Sequence, residues 1–164
     1  MNNAMSIIFA SDNESKLNEL TLHRTTASLP FGGRYRCIDF ALSNLVNSSV
    51  TTIGIITRSN YSSLMDHIRM GRDWDLNRKN SGIAVFPPYA SNTSTNVFKG
   101  KIEALYGILD YIENSDDEYV IVTNSNIIAS IDFDEVYEAH LASKADITML
   151  TYTSQPTTSR RVLV

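Results

Sequence analysis

Arg34, Arg36 and Asp39 stand directly behind a turn sequence, LPFGG at residues 29–33, and at the head of an apolar run, CIDFALSNLV. A guanidinium group grips phosphate through a planar fork of N–H donors, so two arginines behind a glycine pair suit an anion. Gly32 and Gly33 lack a Cβ, which lets the chain turn with positive φ and lets a ligand approach the backbone, while Pro30 presets its own φ. The arginines have a second, local role open to them: pinning the turn through Asp39, which is placed to cap the following helix. The local role is the favoured one, because the neighbouring stretches lack the groups that phosphate chemistry needs.

Three stretches show that lack. ASDNESKLNEL, residues 10–20, holds no glycine to expose backbone N–H groups to a phosphate, and Asp12 and Glu14 would repel a triphosphate. NSNIIASIDFDE, residues 124–135, follows the apolar run YVIVT at a place suited to a carboxylate that holds magnesium. Asn124, Ser125 and Asn126 offer only neutral oxygens there, and Asp132 and Asp134 read as a cap and a turn. RMGRDWDLNRKNSG, residues 69–82, interleaves Arg69, Arg72, Arg78 and Lys79 with Asp73 and Asp75. It reads as a solvated loop packed on Trp74 rather than an anion site walled by it. His23, His67 and His140 have no carboxylate or cysteine at ligand spacing, so no metal site is expected.

The elements that must position these groups alternate. Residues 5–10 (MSIIFA), 52–57 (TIGIIT), 83–86, 119–123 (YVIVT) and 147–152 (ITMLTY) read as strands, apolar without alternation, as parallel strands covered on both faces are. Ile38, Leu42, Leu45 and Val46 repeat at helical spacing behind Asp39 as N-cap; Leu64 and Ile68 mark a shorter helix. Ile102, Leu105, Tyr106, Leu109 and Ile112 form the clearest apolar stripe, and a fourth helix starts at Asp134 with Val136, Tyr137 and Leu141 inward. Alternating strands and helices imply a layered α/β fold with a mostly parallel sheet, whose ligands sit at the carboxyl ends of the strands. Two long connections, residues 11–29 and 87–99, leave such ends and are candidate site loops.

Composition bounds the function. A chain of 164 residues, 43% hydrophobic and 20% charged, fits one domain with a real core. A net charge of −4 and a pI near 5.3 argue against nucleic acid and anionic membranes as partners. The single cysteine, Cys37, excludes an intrachain disulfide and suits a reducing cytoplasm; it reads as a small buried hydrophobe. The amino-terminal apolar run is too short for a signal peptide and no run is long enough to span a bilayer.

LPFGGRYRCIDFALSNLVNSSV, SLMDHIRMGRDWDLNRKNSG, FKGKIEALYGILDYI and IDFDEVYEAH together resemble the amino-terminal part of the glucose-1-phosphate adenylyltransferases (ADP-glucose pyrophosphorylases), above all the GlgD-type subunits of glycogen synthesis. The resemblance covers roughly residues 5–155, taken as the amino-terminal part of a nucleotidyltransferase-like domain, and leaves 156–164 as an unassigned tail. It implies a Rossmann-like three-layer domain that joins glucose 1-phosphate to ATP with magnesium, giving ADP-glucose and pyrophosphate. It also implies a carboxyl-terminal β-helix beyond this stretch and a tetrameric assembly.

Position by position, the resemblance also marks departures. The family's G-G-x-G-x-R-L loop corresponds to the glycine-free stretch after the first strand. Its K-R-A-K-P-A-V corresponds to HRTTASL, so Arg24 survives, Thr26 replaces the second lysine, and His23 with Arg24 retain part of an effector-phosphate pocket. Its G-D-H falls at Ser125 and Asn126, and its W-Y-R-G-T-A-D-A at VFKGKIEA, keeping Gly100 and replacing the aspartate by Glu103. Loss of phosphate loop, lysine and metal carboxylate removes contributions of about 3 kcal/mol or more each. The expectation is therefore a degenerate regulatory subunit without bound magnesium, paired with a catalytic GlgC-type subunit and answering to a sugar phosphate or nucleotide. An active enzyme with unorthodox residues and a stand-alone sensor are the alternatives.

Overall fold

The computed structural model describes residues 3–11, 14–58, 60–77, 82–87 and 100–151. In chain order its strands are β1 (Ala4–Phe9), β2 (Pro30–Phe31), β3 (Tyr35–Arg36), β4 (Thr52–Ile56), β5 (Gly82–Phe86) and β6 (Tyr119–Asn124). Its helices are α1 (Glu14–Leu17), α2 (Cys37–Asn47), α3 (Ser62–Ile68), α4 (Lys101–Tyr106), α5 (Leu109–Glu113) and α6 (Phe133–Ser143). Short 3-10 turns occupy Asn18–Thr21, Thr26–Ser28 and Arg69–Trp74.

β1, β4, β5 and β6 form one parallel sheet in the order β5-β4-β1-β6. From β1 the chain lays down β4 and β5 on one side, then returns to add β6 on the other. That reversal creates a crevice between the carboxyl ends of β1 and β6, where Phe9 and Asn124 are register partners.

β1 and β4 are continuously apolar because each face has its own cover. Ile8, Ile53 and Ile55 face Ile38, Leu42 and Leu45 of α2, Leu64 and Ile68 of α3, and Phe133 of α6 in one cluster. Met5, Ile7, Phe9 and Ile56 face Ala104 of α4 and Ile108 in the other. Fully burying such side chains contributes about 1.5–3 kcal/mol each.

Pro30–Phe31 pairs antiparallel with Tyr35–Arg36, and the three residues between them close a hairpin. Gly32 and Gly33 take φ of +61° and +88°, the left-handed conformation that the turn needs. PFGG is thus a hairpin turn delivering the chain into α2.

Four expectations need correction. Residues 147–151 do not join the sheet as a fifth strand; residue 152 lies outside the described residues. They run beside β6, with His140 Nδ1 and Thr148 Oγ1 2.7 Å apart, but Ile147, Met149 and Leu150 stay 85%, 79% and 58% exposed. A strand is held by ladder bonds and a covered face, and this run has neither among the described residues.

The helix expected over 102–112 is two helices: Ile108 leaves helical geometry (φ −119°, ψ 18°), directly after Gly107. The break turns Ala104 and Ile108 to the sheet and leaves Ile102 and Tyr106 of the expected apolar stripe exposed. Asp39 is the third residue of α2 rather than its N-cap, which is Arg36. The last helix begins at Phe133, and its N-cap is Asp132, whose carboxylate accepts the Asp134 and Glu135 N–H groups; Asp134 lies inside it, and Leu141, expected inward, is exposed.

Candidate functional site at the carboxyl end of the sheet

Backbone bonds assemble the site. The Ser125 N–H donates to the Phe9 carbonyl at 3.1 Å, bending the chain after β6 over the end of β1. The Ala27 N–H donates to the Ala10 carbonyl at 3.1 Å, which fastens the 3-10 turn of Thr26 to the same end. Ser11 Oγ accepts the Arg58 N–H at 3.2 Å, linking the exit of β1 to that of β4. Thr26, Ser125 and Asn126, separated by about a hundred positions in the chain, are therefore brought to one edge.

The start of α4 reaches the same edge. Lys101 Nζ donates to Asn124 Oδ1 at 2.8 Å and stands 5.3 Å from the centroid of the Phe9 ring. A cation over an aromatic face within about 6 Å is attracted by the ring quadrupole. Gly100 supplies the extended N-cap that aims this lysine, and Glu103 is exposed in the first turn of α4.

A cavity of 390 Å³ opens here, lined among the described residues by Phe9, Lys101, residues 122–124, Ile127, Ile131, Phe133 and residues 147–150. None of these carries a carboxylate. Ser125 Oγ, fully buried, and Thr57 Oγ1 at the end of β4, fully buried too, have no hydrogen-bond partner among the described residues.

The oxygens at the end of β6 are amide and hydroxyl, a weak donor set for magnesium. Among the described residues no three His, Cys, Asp or Glu side chains gather at metal distance. What the edge offers is one ammonium, neutral hydrogen-bonding groups and an apolar wall. Among the described residues that line the cavity, none is a general base.

The arginines of the hairpin lie elsewhere. Arg36 Nη1 donates to the Ser63 carbonyl and hydroxyl at 2.5 and 2.9 Å, so its guanidinium ties the hairpin to α3. Arg34 is exposed and stacks on Tyr35, 5.6 Å from the ring centroid. His23 is exposed and Arg24 half-buried, just ahead of the turn of Thr26. Asp39 Oδ2 accepts the Arg36 N–H at 3.0 Å, and its Oδ1 lies 2.5 Å from His67 Nε2. Trp74 anchors its segment, donating to Ser43 Oγ at 3.3 Å with its ring edge-on to His67. Arg78, Lys79, Asp12 and residues 88–99 fall outside the described residues.

Two residues escaped the sequence reading. Lys101 follows Gly100 inside VFKGKIEA, a stretch already marked by the resemblance, and that adjacency was the available signal. His67 is a lone histidine on a short helix, and nothing in its neighbours in sequence points to Asp39.

Burial pushes the Cys37 thiol above its ordinary value; its backbone hydrogen bond works the other way and the Asp39 charge adds to the rise. A thiol so held stays protonated and unreactive at neutral pH.

Comparison with known proteins agrees with this geometry. The nucleotidyl transferase family model matches residues 5–161. Glucose-1-phosphate adenylyltransferase of Clostridium perfringens (strain SM101 / Type A) is 37% identical over 145 residues, 88% of this chain and 37% of that protein. The protein of that name in Bacillus subtilis (strain 168) is 36% identical over 145 residues, 88% of this chain and 38% of its own length. This chain thus spans well under half of these relatives. A solved structure of a putative glucose-1-phosphate thymidylyltransferase from Bacillus anthracis, in complex with a sucrose, shares the fold with a TM-score of 0.67 at 22% identity, over 86% of this chain and 51% of that one. The chain belongs to the nucleotidyl transferase family, and its sequence is similar to the amino-terminal region of the glucose-1-phosphate adenylyltransferases.

Proposed function

We propose that this chain is the nucleotidyltransferase-like region of a catalytically degenerate, regulatory subunit of glucose-1-phosphate adenylyltransferase, of GlgD type. It acts in glycogen synthesis in the cytoplasm through a catalytic GlgC-type subunit. The observation that carries the reading is the strand end itself: Ser125 and Asn126 stand where the resemblance puts the metal carboxylate, and the ammonium of Lys101 is bonded to the neighbouring Asn124. A divalent cation brought to that edge would meet a positive charge and no anionic ligand among the described residues that line it.

The scaffold inside that edge keeps its core: β1 and β4 are packed on both faces, and the strand order reverses at β1. Such a combination suits a subunit kept for assembly and for passing an effector's signal. His23, Arg24, Arg34 and Arg36 are its candidate phosphate contacts; Arg36 is the least available, since its guanidinium is engaged with Ser63.

The test is enzymatic. The purified protein with ATP, glucose 1-phosphate and magnesium should release pyrophosphate only at background. Mixed with the catalytic subunit, it should change that subunit's kcat or its response to activator. Turnover by the protein alone, or mixing without effect, overturns the reading.

A further inference from the structure

We propose that the Arg36–Ser63 contact is a releasable latch: an anion caught by the guanidinium groups of the hairpin takes Arg36 off Ser63 and frees α3 together with the Trp74 segment behind it. The proposal rests on the preceding reading in taking the hairpin arginines as phosphate contacts, and adds what their occupation moves.

The closed latch leaves a charge unmatched. Arg36 is half-buried, and among the described residues its guanidinium bonds only neutral oxygens, the Ser63 carbonyl and hydroxyl at 2.5 and 2.9 Å, both through Nη1. A phosphate engages a guanidinium through two parallel bonds and adds a Coulomb attraction that a carbonyl and a hydroxyl lack. Arg34, exposed two residues earlier, is the second guanidinium of the hairpin. An anion that binds these groups only when Arg36 is released shifts the equilibrium toward release.

The bonds that hold α3 run through one carboxylate. Among the described residues two side-chain contacts tie α3 to the hairpin and α2: Arg36 to Ser63 near its start, and Asp39 to His67 near its end. They are not independent, because Asp39 Oδ2 also accepts the Arg36 N–H at 3.0 Å. Beyond His67 stands Trp74, edge-on with ring centroids 6.2 Å apart and its Nε1 donating to Ser43 Oγ.

The backbone between α3 and Trp74 supplies the tendency to open. Arg69 and Met70, neither of them glycine, take φ of +40° and +60°, and Gly71 follows at +76°. Left-handed backbone is costly for a residue with a Cβ and persists only where surrounding contacts impose it. The Met70 side chain is 61% exposed and anchors nothing, so the constraint comes from the elements on either side. Freeing α3 removes one of them and lets the segment relax.

Trp74 is the one tryptophan of the chain, so its fluorescence reports the latch. The whole protein is titrated with inorganic phosphate and with inorganic pyrophosphate, against potassium chloride at matched ionic strength. Both phosphates should move the Trp74 emission to the red and make it easier to quench with acrylamide; chloride should do neither. Ser63→Ala removes one of the two acceptors of Arg36 and should lower the half-saturating phosphate concentration by about threefold or more. Arg36→Gln should abolish the response and show the red-shifted emission before any anion is added, with the far-UV circular dichroism of the parent. A silent Trp74 at saturating pyrophosphate, a half-saturating concentration in Ser63→Ala equal to or above that of the parent, or a full response in Arg36→Gln overturns the latch. Pyrophosphate release from ATP and glucose 1-phosphate by the protein alone would overturn the degenerate-subunit reading instead, so the two failures separate.

Discussion

The two oxygens of Asp39 are committed to different elements: Oδ2 accepts the Arg36 N–H at the head of α2, and Oδ1 meets His67 on α3. Arg36 in turn reaches Ser63, so hairpin, α2 and α3 close on one carboxylate. Asp39→Ala removes a helix-start acceptor and strands a partly buried imidazole, which should cost about 2–4 kcal/mol in urea unfolding. Asp39→Asn keeps an acceptor for the Arg36 N–H and should cost less than half of that; equal losses would show that charge, not capping, is what matters. Ser125 makes the opposite case. Its hydroxyl is buried without a partner among the described residues, so Ser125→Ala should leave the unfolding free energy within about 1 kcal/mol of the parent or raise it. A larger loss would mean that the hydroxyl is satisfied in solution.

At the scale of elements, the approach of α5 to the sheet depends on a missing side chain. A Cβ built on Gly54 in β4 would come within 2.7 Å of Ile7 Cδ1 and 3.1 Å of Tyr111 Cε1. Gly54→Ala therefore overpacks the cluster where Tyr111 meets Phe86 at 4.8 Å, and should destabilise by about 1–3 kcal/mol, measured by denaturant midpoint. No change would show that Tyr111 swings aside at no cost. Gly54 also shows what the sequence does and does not disclose. β1 and β4 were legible because apolar runs of that length buried on both faces have few other readings, β5 and β6 because they carry the same kind of run although Val120 and Val122 stay exposed, and α2 because Ile38, Leu42 and Leu45 repeat on one face. The broken helix was hidden, since an unbroken apolar stripe spans Ile102 to Ile112 and the kink at Ile108 follows from packing on the sheet. Residues 147–151 misled for the converse reason: local strand character forms a strand only where a neighbour offers a ladder. At the site, Thr26, Ser125, Asn126 and Gly100 were marked through resemblance, but Lys101's bond to Asn124 spans 23 positions and has no local signature.

For the molecule as a whole, both layers that cover the sheet hold one group that resists ionisation. Cys37 begins α2 on one face; Tyr111 of α5 packs on the other. Burial is the main cause of the rise in both, with Asp39 adding to it at the thiol and Asp117 at the phenol. The unfolded chain then loses these protons at lower pH than the folded one, so the unfolded state binds fewer protons and stability declines with rising pH. The decline begins near the ordinary values, 9.0 for the thiol and 10.0 for the phenol, and continues up to the folded values above them. Below pH 9.0 neither group contributes a slope. Urea midpoints taken every half unit from pH 8 to 11 should therefore be flat at first and then fall. Cys37→Ala should flatten the first part of that fall and Tyr111→Phe the later part, with the double variant flattest. A fall of the same steepness in the double variant would place the alkaline weakness elsewhere, and would mean that neither covering layer holds its ionisable group away from water as tightly as the packing of the sheet implies.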